Sequence, residues 1–256
     1  MGESRLRMEL GGTYAVWWRE FKVFQREKSR VVSSLVSPLM WLFLFGYGVG
    51  ASVNPGTGGV SYQDYIYPGI LAMSVLFGSV FFGLYIVWDR KLDVLKAVLV
   101  APVSRVSIFF GKVLGGCTDV TIQVLMLFIF SFMFPSINPW GLPLALLFLF
   151  ITAIGMVSMG LAIGSFFESL EGFQVISTFL VFPLFFLSGA LYPVDERLPG
   201  WLQGMVRLDP LTYTVDGVRG ALLGLNTFPL YADLGVIALF AVAMVLAGSA
   251  AFSRMK

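Results

Sequence analysis

The longest stretch without a charged residue covers residues 120–167 and is 48 residues long. A helix that crosses the hydrocarbon core of a bilayer needs about 20 mostly apolar residues, so this stretch is too long for one crossing. Two prolines and a glycine between residues 135 and 141 interrupt it and divide it into two predicted spans. The chain is therefore predicted to cross a membrane more than once.

The composition supports this interpretation, because 57% of the residues are hydrophobic and only 12% are charged. A soluble domain carries about 25% charged residues, so lipid must cover much of this surface. The predicted fold class is an all-α integral membrane protein, one transmembrane domain over residues 1–256. Gaps between charges place six predicted spans at about 32–53, 65–88, 107–134, 142–167, 172–194 and 234–253.

The distribution of lysine and arginine predicts the orientation. The segments predicted on one side of the membrane carry 14 of these residues, and those on the other side carry 3. Because cytoplasmic segments are enriched in Lys and Arg, both termini are predicted to be cytoplasmic, in a plasma or inner membrane.

Two segments outside the spans show helical periodicity. Residues 4–30 alternate apolar and charged side chains and predict an amphipathic helix in the cytoplasmic interface; the alternative is a soluble helix packed on another domain. Residues 195–230 are too polar to cross and too apolar to be freely solvated. They predict two short helices, about 200–208 and 211–223, that dip toward the outer leaflet; the alternative is an ordinary outer loop.

Few residues in the sequence suggest catalytic chemistry. The chain has no histidine, one cysteine and no GxxxxGK[ST] motif, since Val113 follows Gly111 and Lys112. We therefore predict no catalytic residue, no metal site, no cofactor and no nucleic-acid partner. Asp119 is the one carboxylate within a predicted span, which makes it a candidate intramembrane polar site. It either pairs with a group near the cytoplasmic end, where Lys112 shares its helix face, or lines a transport path.

The cytoplasmic loop after the second span is the most informative segment. Leu95 and Leu99 belong to an apolar stripe at helical spacing, the charged residues lie off this stripe, and Pro102 ends the helix. Such a helix can bind its own membrane, or it can dock on a cytoplasmic partner.

Residues 88–112 and 188–219 resemble the ABC-2-type transport permeases, the membrane subunits of one class of ABC exporter, which include daunorubicin-resistance and polysaccharide-export permeases. The first match contains Asp89-Arg90, Leu95, Ala101-Pro102-Val103-Ser104-Arg105 and Gly111-Lys112. The second contains Ser188-Gly189, Pro193, Leu198-Pro199-Gly200-Trp201-Leu202, Asp209-Pro210-Leu211-Thr212 and Asp216-Gly217-Val218-Arg219. Asp209 replaces the usual Asn, and the Gly that commonly follows Arg90 is absent.

The resemblance implies a mechanism. Two copies of this subunit, or one copy and a close paralogue, would form the path, and two separate ATPase subunits would bind ATP and Mg. Residues 89–101 would form the coupling helix, with Asp89, Arg90, Lys91, Asp93, Leu95, Lys96 and Leu99 as its contacts. The outer helices would close the exit, through a motif of Pro193, Pro199, Trp201, Asp209, Pro210, Asp216 and Arg219.

The function implied is the permease of an ATP-driven exporter for a hydrophobic or lipid-like substrate, such as a drug or a lipid. The alternative cargo is a polysaccharide or a lipid-linked glycan. Alternatives of another class are an ATP-independent channel or carrier and a membrane scaffold or sensor subunit. A channel or carrier would need more than one ionisable group inside the membrane.

Overall fold

The computed structural model describes residues 2–48, 50, 59–92, 103–194 and 198–255. This part of the chain is helical and contains no β-strand. Its α-helices are α1 (Gly2–Arg26), α2 (Lys28–Gly48), α3 (Tyr62–Phe82), α4 (Leu84–Lys91), α5 (Arg105–Phe128), α6 (Leu142–Phe166), α7 (Leu170–Leu187), α8 (Gly200–Leu208), α9 (Pro210–Leu223) and α10 (Leu230–Ser253). Two 3₁₀ turns, Ile129–Met133 and Pro139–Gly141, connect α5 to α6.

Six helical segments of the described chain are long and apolar enough to cross a bilayer, which confirms the predicted all-α integral membrane fold. Their ends are set by local signals that the sequence contains. The Ser61 hydroxyl accepts a hydrogen bond from the Asp64 N–H and caps α3, and the Ser104 hydroxyl caps α5 in the same way. The six segments are Val31–Gly48, Tyr62–Lys91, Arg105–Met133, Pro139–Phe166, Leu170–Leu187 and Leu230–Ser253.

The first two helices meet at a different residue from the one predicted. The predicted interface helix over 4–30 ends at Arg26, and Glu27 is the single non-helical residue before α2 begins at Lys28. The first span was predicted to continue to residue 53, but α2 ends at Gly48, and residues 51–58 lie outside the described chain.

Two later boundaries also differ from the prediction. The fifth span was predicted to reach residue 194, but α7 ends at Leu187, because the chain turns at Gly189, whose φ of +69° favours glycine. The last span begins at Leu230 rather than residue 234, and Asp233 therefore lies inside it. Gaps between charges do not register either change, since the turn at Gly189 contains no charge and the charge of Asp233 lies inside the last helix rather than before it.

The second span consists of α3 and α4, which are separated only at Gly83. A Cβ atom at Gly83 would overlap the backbone carbonyl of Gly160 on α6. Small residues at helix interfaces in membranes allow such close backbone approach, and van der Waals packing then holds the helices together.

The core lies around α3 and α6. Within an apolar 18-residue stretch of the second span, 72% of residues are buried, and within such a stretch of the fourth span the share is 61%. By contrast, the share is only 17% in the corresponding stretches of α2 and α10 and 22% in that of α7. Helices α2, α7 and α10 therefore form the periphery of the chain and offer apolar surface to lipid or to another subunit.

The region before the last span contains α8 and α9, at the positions predicted for two short helices. Asp209 lies between them, and one of its carboxylate oxygens accepts a 2.9 Å hydrogen bond from the Leu211 N–H at the start of α9. Pro210 occupies the first turn of α9, where a missing N–H has no cost. Gly224 ends α9 with a φ of +68°.

Candidate functional site

Four charged side chains from three helices meet at the end of the second span. Asp89 on α4 accepts hydrogen bonds from the Lys112 ammonium of α5 at 2.6 Å and from the Arg19 guanidinium of α1 at 2.6 and 3.3 Å. The Glu20 carboxylate of α1 accepts a hydrogen bond from Lys112 at 3.0 Å. We call Arg19, Glu20, Asp89 and Lys112 the charge cluster.

The charge cluster is buried and electrically balanced. The Lys112 side chain is 1% exposed and the Glu20 side chain is 5% exposed, so neither charge has much access to water. Burial opposes the charge of Arg19, but the hydrogen bond to Asp89 and the negative charges of Asp89 and Glu20 raise the pKa of Arg19 above its ordinary value. Removing one partner of a buried ion pair costs about 3–5 kcal/mol, so these side chains hold the three helices together.

Helix α1 lies along the first half of α5 and runs parallel to it. A Cβ atom at Gly111 would lie 2.7 Å from the Cβ of Val16 and 2.8 Å from the carbonyl oxygen of Thr13, so only glycine fits this approach. The Trp17 indole N–H donates a 2.9 Å hydrogen bond to the Thr118 hydroxyl. The Gly111-Lys112 pair thus seats α1 and supplies the cation that neutralises Glu20.

Residues on both sides of the segment 93–102 are fixed to the helical bundle. Before it, the Arg90 guanidinium donates 3.0 Å hydrogen bonds to the carbonyls of Phe167 and Ser165 at the end of α6. After it, the Arg105 guanidinium donates a 2.9 Å hydrogen bond to the carbonyl of Ser253 at the end of α10. Each arginine satisfies carbonyls that a helix C-terminus leaves open, and its charge suits the negative end of the helix dipole.

The start of α5 is also fixed to α1, through one carboxylate. The Glu9 carboxylate accepts hydrogen bonds from the Ser104 backbone N–H at 2.9 Å and from the Ser107 hydroxyl at 2.7 Å. Together with the charge cluster, this contact connects α1 to both flanks of the 93–102 segment.

Asp119 lies on α5, two turns beyond Lys112, and is 5% exposed. It lines a cavity of about 220 Å³ between α1, α2, α3, α4 and α5, together with Phe24, Tyr85 and Gln123 among others. The Gln123 amide donates a 2.8 Å hydrogen bond to the Ser34 carbonyl in this region and so ties α5 to α2. Lys112 points instead toward Asp89 and Glu20.

On the other side of the bundle, Asp216 and Arg219 of α9 hold the neighbouring loops. The Asp216 carboxylate accepts hydrogen bonds from the backbone N–H groups of Thr227 at 2.9 Å and Phe228 at 2.8 Å. The Arg219 guanidinium donates a 3.0 Å hydrogen bond to the Gly189 carbonyl. Its guanidinium carbon lies 4.0 Å from the ring centroid of Tyr65.

Comparison with known proteins identifies the family. The family model of the ABC-2 type transporters matches residues 12–223, from α1 to the end of α9. The chain belongs to the ABC-2 type transporter family. It is 30% identical over 241 residues to the inner membrane transport permease YadH of Escherichia coli K12, with 91% of each chain covered. It is 26% identical over 243 residues to nodulation protein J of Rhizobium leguminosarum bv. viciae, covering 94% of this chain and 93% of that one.

Membership of the ABC-2 family makes this chain a transport permease, the membrane subunit of an ABC transporter, and confirms the family resemblance of the two motifs. A putative transport permease, ycf38 of Cyanophora paradoxa, is 32% identical over 211 residues and covers 78% of this chain and 70% of its own. The six spans agree with a multi-pass membrane protein.

The structure places the predicted coupling residues of this ABC-2 permease in two groups. Asp89 and Arg90 contact helices of the chain itself, and Lys91 is exposed at the end of α4. Residues 89–91 thus complete the second span rather than begin a separate helix, and Leu92 follows α4 as its cap. The remaining predicted contacts, Asp93, Leu95, Lys96 and Leu99, lie outside the described residues, and their coupling role stays a prediction.

The residues of the predicted outer motif also fall into separate groups in the structure. Pro193, Asp216 and Arg219 line one cavity of about 220 Å³, beside Tyr65. Pro199 directly precedes α8, and Pro210 is the first residue of α9. Trp201 of α8 is 69% exposed. Burial raises the pKa of Asp209 to about 7, although its hydrogen bond from the Leu211 N–H opposes this shift.

Sequence reasoning missed Glu20, the buried partner of Lys112, and Asp233, which is fully buried inside the last span. A signal for Glu20 was present. Lys112 lies in an apolar run, where a cation requires a carboxylate, and Glu20 follows Thr13 and Val16 on one face of α1. Among the described residues, no group of three or more Cys, His, Asp or Glu side chains is arranged to hold a metal ion.

Proposed function

We propose that this ABC-2 permease is the membrane subunit of an ATP-driven exporter and receives its energy through the segment between α4 and α5. A separate ATPase subunit, present in two copies, would bind ATP and Mg and displace this segment. The observation that carries the proposal is the anchoring of both flanks, by Asp89 and Arg90 on one side and by Ser104 and Arg105 on the other.

The contacts at these flanks give the displacement a route into the bundle. Motion of Asp89 would act on α1 and α5 through Arg19 and Lys112, and motion of Arg90 would act on the end of α6. Arg105 would carry the motion to the end of α10. Paired buried charges and packed helices resist gradual deformation, so such a unit moves as one body.

The exposed face of α2 and α7 supports a path shared with a second copy of the permease or a close paralogue. Trp41 of α2 and Phe185 of α7 meet edge to face at 5.6 Å, which places these two sparsely buried helices side by side. A largely apolar groove of about 450 Å³ runs along α2 and includes Val36, Met40 and Leu44. Its apolar lining favours a hydrophobic or lipid-like cargo, such as a drug or a lipid.

The second candidate cargo is a polysaccharide or a lipid-linked glycan, and the aromatic residues beside the groove are the observation that favours it. Trp41 and Phe45 line the groove, and their rings lie 4.7 Å apart in a stacked arrangement. Flat apolar ring faces can pack against sugar rings as well as acyl chains. The cargo is tested by asking which compounds stimulate ATP hydrolysis by the reconstituted complex.

The proposed orientation has both termini in the cytoplasm, and it rests on the split of 14 to 3 basic residues. Cys117 is the sole cysteine of the chain and is 2% exposed, so a Cys117→Ala background permits single-cysteine labelling. An impermeant thiol reagent should label Ser61→Cys in intact cells and Lys96→Cys only after permeabilisation. Labelling of residue 96 from outside would reverse the layout.

The function itself is tested at Leu95, which lies outside the described residues. On the apolar stripe, Leu95→Asp would bury an unpaired carboxylate in the groove of the ATPase subunit and weaken binding by roughly 2–5 kcal/mol. Asp93→Ala, at the rim, is the control and should cost less. Pull-down of the ATPase subunit and transport-linked ATP hydrolysis are measured on correctly inserted protein. Unchanged values for Leu95→Asp would reject this segment as the coupling contact.

A further inference from the structure

Helix α1 has three distinct faces. One face packs on α5 and carries Glu20 of the charge cluster. The second is apolar and exposed, although a soluble helix would bury it; its members recur every four residues and are Leu6 at 64%, Leu10 at 61%, Tyr14 at 59% and Trp18 at 41% exposure. The third face is basic and exposed, and it contains Lys22 and Arg26. The apolar and basic faces adjoin where Trp18 meets Lys22.

The apolar face of α1 is a stack of aromatic rings. The rings of Tyr14 and Trp18 lie nearly parallel with centroids 6.3 Å apart, and those of Trp17 and Phe21 lie nearly parallel at 5.9 Å. Tryptophan and tyrosine are enriched where the headgroups of a bilayer meet its hydrocarbon core. The stack thus has the composition of a surface that lies at this depth.

The connection to α2 indicates lipid, rather than a protein, as the occupant of this face. Only Glu27 separates α1 from α2, which is a membrane span and exposes Val32 near its start, outside the groove along α2. A face that continues within a few residues into the lipid-facing surface of a span lies against the same bilayer.

The two cations of the basic face have no carboxylate partner among the described residues. The Lys22 ammonium lies 4.7 Å from the centroid of the Trp18 ring and donates a 3.3 Å hydrogen bond to the Gln25 amide. Among the described residues, neither Lys22 nor Arg26 has a carboxylate within 4.0 Å, whereas Arg19, one turn away, is paired with Asp89. Two exposed cations at the edge of an apolar face, without a carboxylate partner in the described part of the chain, match the phosphodiester of an anionic lipid.

We propose that α1 is a binding surface for anionic phospholipid headgroups, with Lys22 and Arg26 contacting the phosphate and the Tyr14–Trp18 stack lying against the adjoining acyl region. Zwitterionic phospholipid has no net charge to match these cations, so the surface selects anionic lipid. This binding does not depend on the proposed exporter function. If that function holds, the lipid fixes the helix that carries Arg19 and Glu20, and so steadies the unit that receives the ATPase motion.

The test titrates the full-length permease, in an uncharged detergent, with dioctanoyl phosphatidylglycerol and with dioctanoyl phosphatidylcholine, and follows tryptophan fluorescence. Saturable binding of phosphatidylglycerol at concentrations where phosphatidylcholine gives no response is expected. Lys22→Gln and Arg26→Gln should each weaken the phosphatidylglycerol affinity about fivefold, and together roughly 25-fold. Both side chains are exposed, so the variants should keep the wild-type melting temperature. Arg254→Gln, which removes an exposed cation from the end of α10, is the matched control and should leave the affinity unchanged.

Three results would overturn the proposal. Equal responses to the two lipids would leave only an apolar surface without headgroup selection. Competition by glycerol phosphate at similar concentration would identify a site for free phosphate rather than for lipid. An unchanged phosphatidylglycerol affinity of the Lys22→Gln, Arg26→Gln double variant, with loss of ATPase-subunit pull-down, would assign the basic face to a protein partner.

Discussion

The two ends of the helical bundle treat buried charge in opposite ways. At the proposed cytoplasmic end, the charge cluster pairs side chain with side chain across three helices, so Lys112 has two carboxylates within 3.0 Å. At the proposed outer end, Asp216 and Arg219 are both largely buried, but their hydrogen bonds go to backbone groups of nearby loops.

The proposed outer end contains buried polar atoms without hydrogen bonds. In the described chain, neither carboxylate oxygen of the buried Asp233 has a hydrogen-bond partner, and one oxygen of Asp209 also has none. Each such atom costs free energy, since burial removes water without supplying a replacement. At the proposed cytoplasmic end, the buried Nε of Arg90 also lacks a hydrogen-bond partner in the described chain, so the two ends differ in how their charges are paired rather than in whether such atoms occur.

This difference suits a permease that is driven from one side. A balanced ionic cluster transmits a displacement among α1, α4 and α5, because separating its members exposes buried charge. Loops held by hydrogen bonds to backbone groups can rearrange without separating an ion pair, as the proposed exit must. Substitutions at the two ends test this comparison, and the largest loss of stability is expected in the charge cluster.

Lys112→Met should destabilise the permease most. The substitution keeps an unbranched side chain but leaves Glu20 with only the more distant Arg19, at 3.5 Å, and removes one of the two cations of Asp89, at a cost of about 3–5 kcal/mol. Equilibrium unfolding in mixed micelles measures the loss. The double variant Glu20→Met, Lys112→Met removes one charge of each sign and keeps the Arg19–Asp89 pair, so it should be less destabilised than Lys112→Met alone. A double variant that loses more unfolding free energy than Lys112→Met would contradict the pairing of Lys112 with Glu20.

Asp209→Asn should change how stability depends on pH. Because the folded-state pKa is about 7 and the ordinary value is near 3.8, the folded protein holds a proton that the unfolded chain releases between these values. Wild-type stability is thus greatest below about pH 4 and falls as the pH rises through 7, by roughly 2–4 kcal/mol from this group. An amide keeps the cap without the charge, so the variant should be the more stable protein at pH 8 and similar at pH 4.

The control for Asp209 is the difference between the two unfolding curves, since all other acidic groups titrate in both proteins. Tyr192 lies near Asp209, and burial together with the Asp209 charge raises the pKa of Tyr192, so its phenol stays neutral throughout this range. Parallel stability profiles for wild type and Asp209→Asn between pH 4 and 8 would show that the carboxyl group is not buried in this way.

Arg219→Met compares the second buried cation with Lys112. The loss should be roughly 1–3 kcal/mol, because the Gly189 carbonyl loses this donor, whereas no ion pair shorter than 4.0 Å is broken among the described residues. Equilibrium unfolding of Arg219→Met and Lys112→Met in the same mixed micelles compares the two losses of unfolding free energy directly. A loss as large as that of Lys112→Met would remove the distinction between the ends.

The sequence predicts the helices better than it predicts their partners, for a physical reason. Uncharged runs locate the spans, since each charge in lipid is costly, and proline, aspartate and glycine locate α8 and α9. The charge cluster depends on contacts between residues about 20 to 90 positions apart, which arise only when α1 packs along α5. Asp233 was missed because it lies at the edge of an apolar run, where sequence cannot distinguish a flanking charge from a buried one.

Asp119→Asn should have the smallest effect and decides between the two interpretations of this residue. If Asp119 serves a local contact, the amide keeps much of its hydrogen bonding and lowers stability by about 0.5–1.5 kcal/mol, while transport per folded molecule stays near the wild-type value. Asp119 lines a cavity bounded by α2 and α3, so a role on the path would instead show as lost transport in fully folded protein. Gln123→Glu, which places a charge one turn away in the same cavity, is the companion variant. Because Gln123→Glu also removes the donor to the Ser34 carbonyl, its transport is compared per folded molecule, and a loss on that scale would show that cargo passes through this cavity.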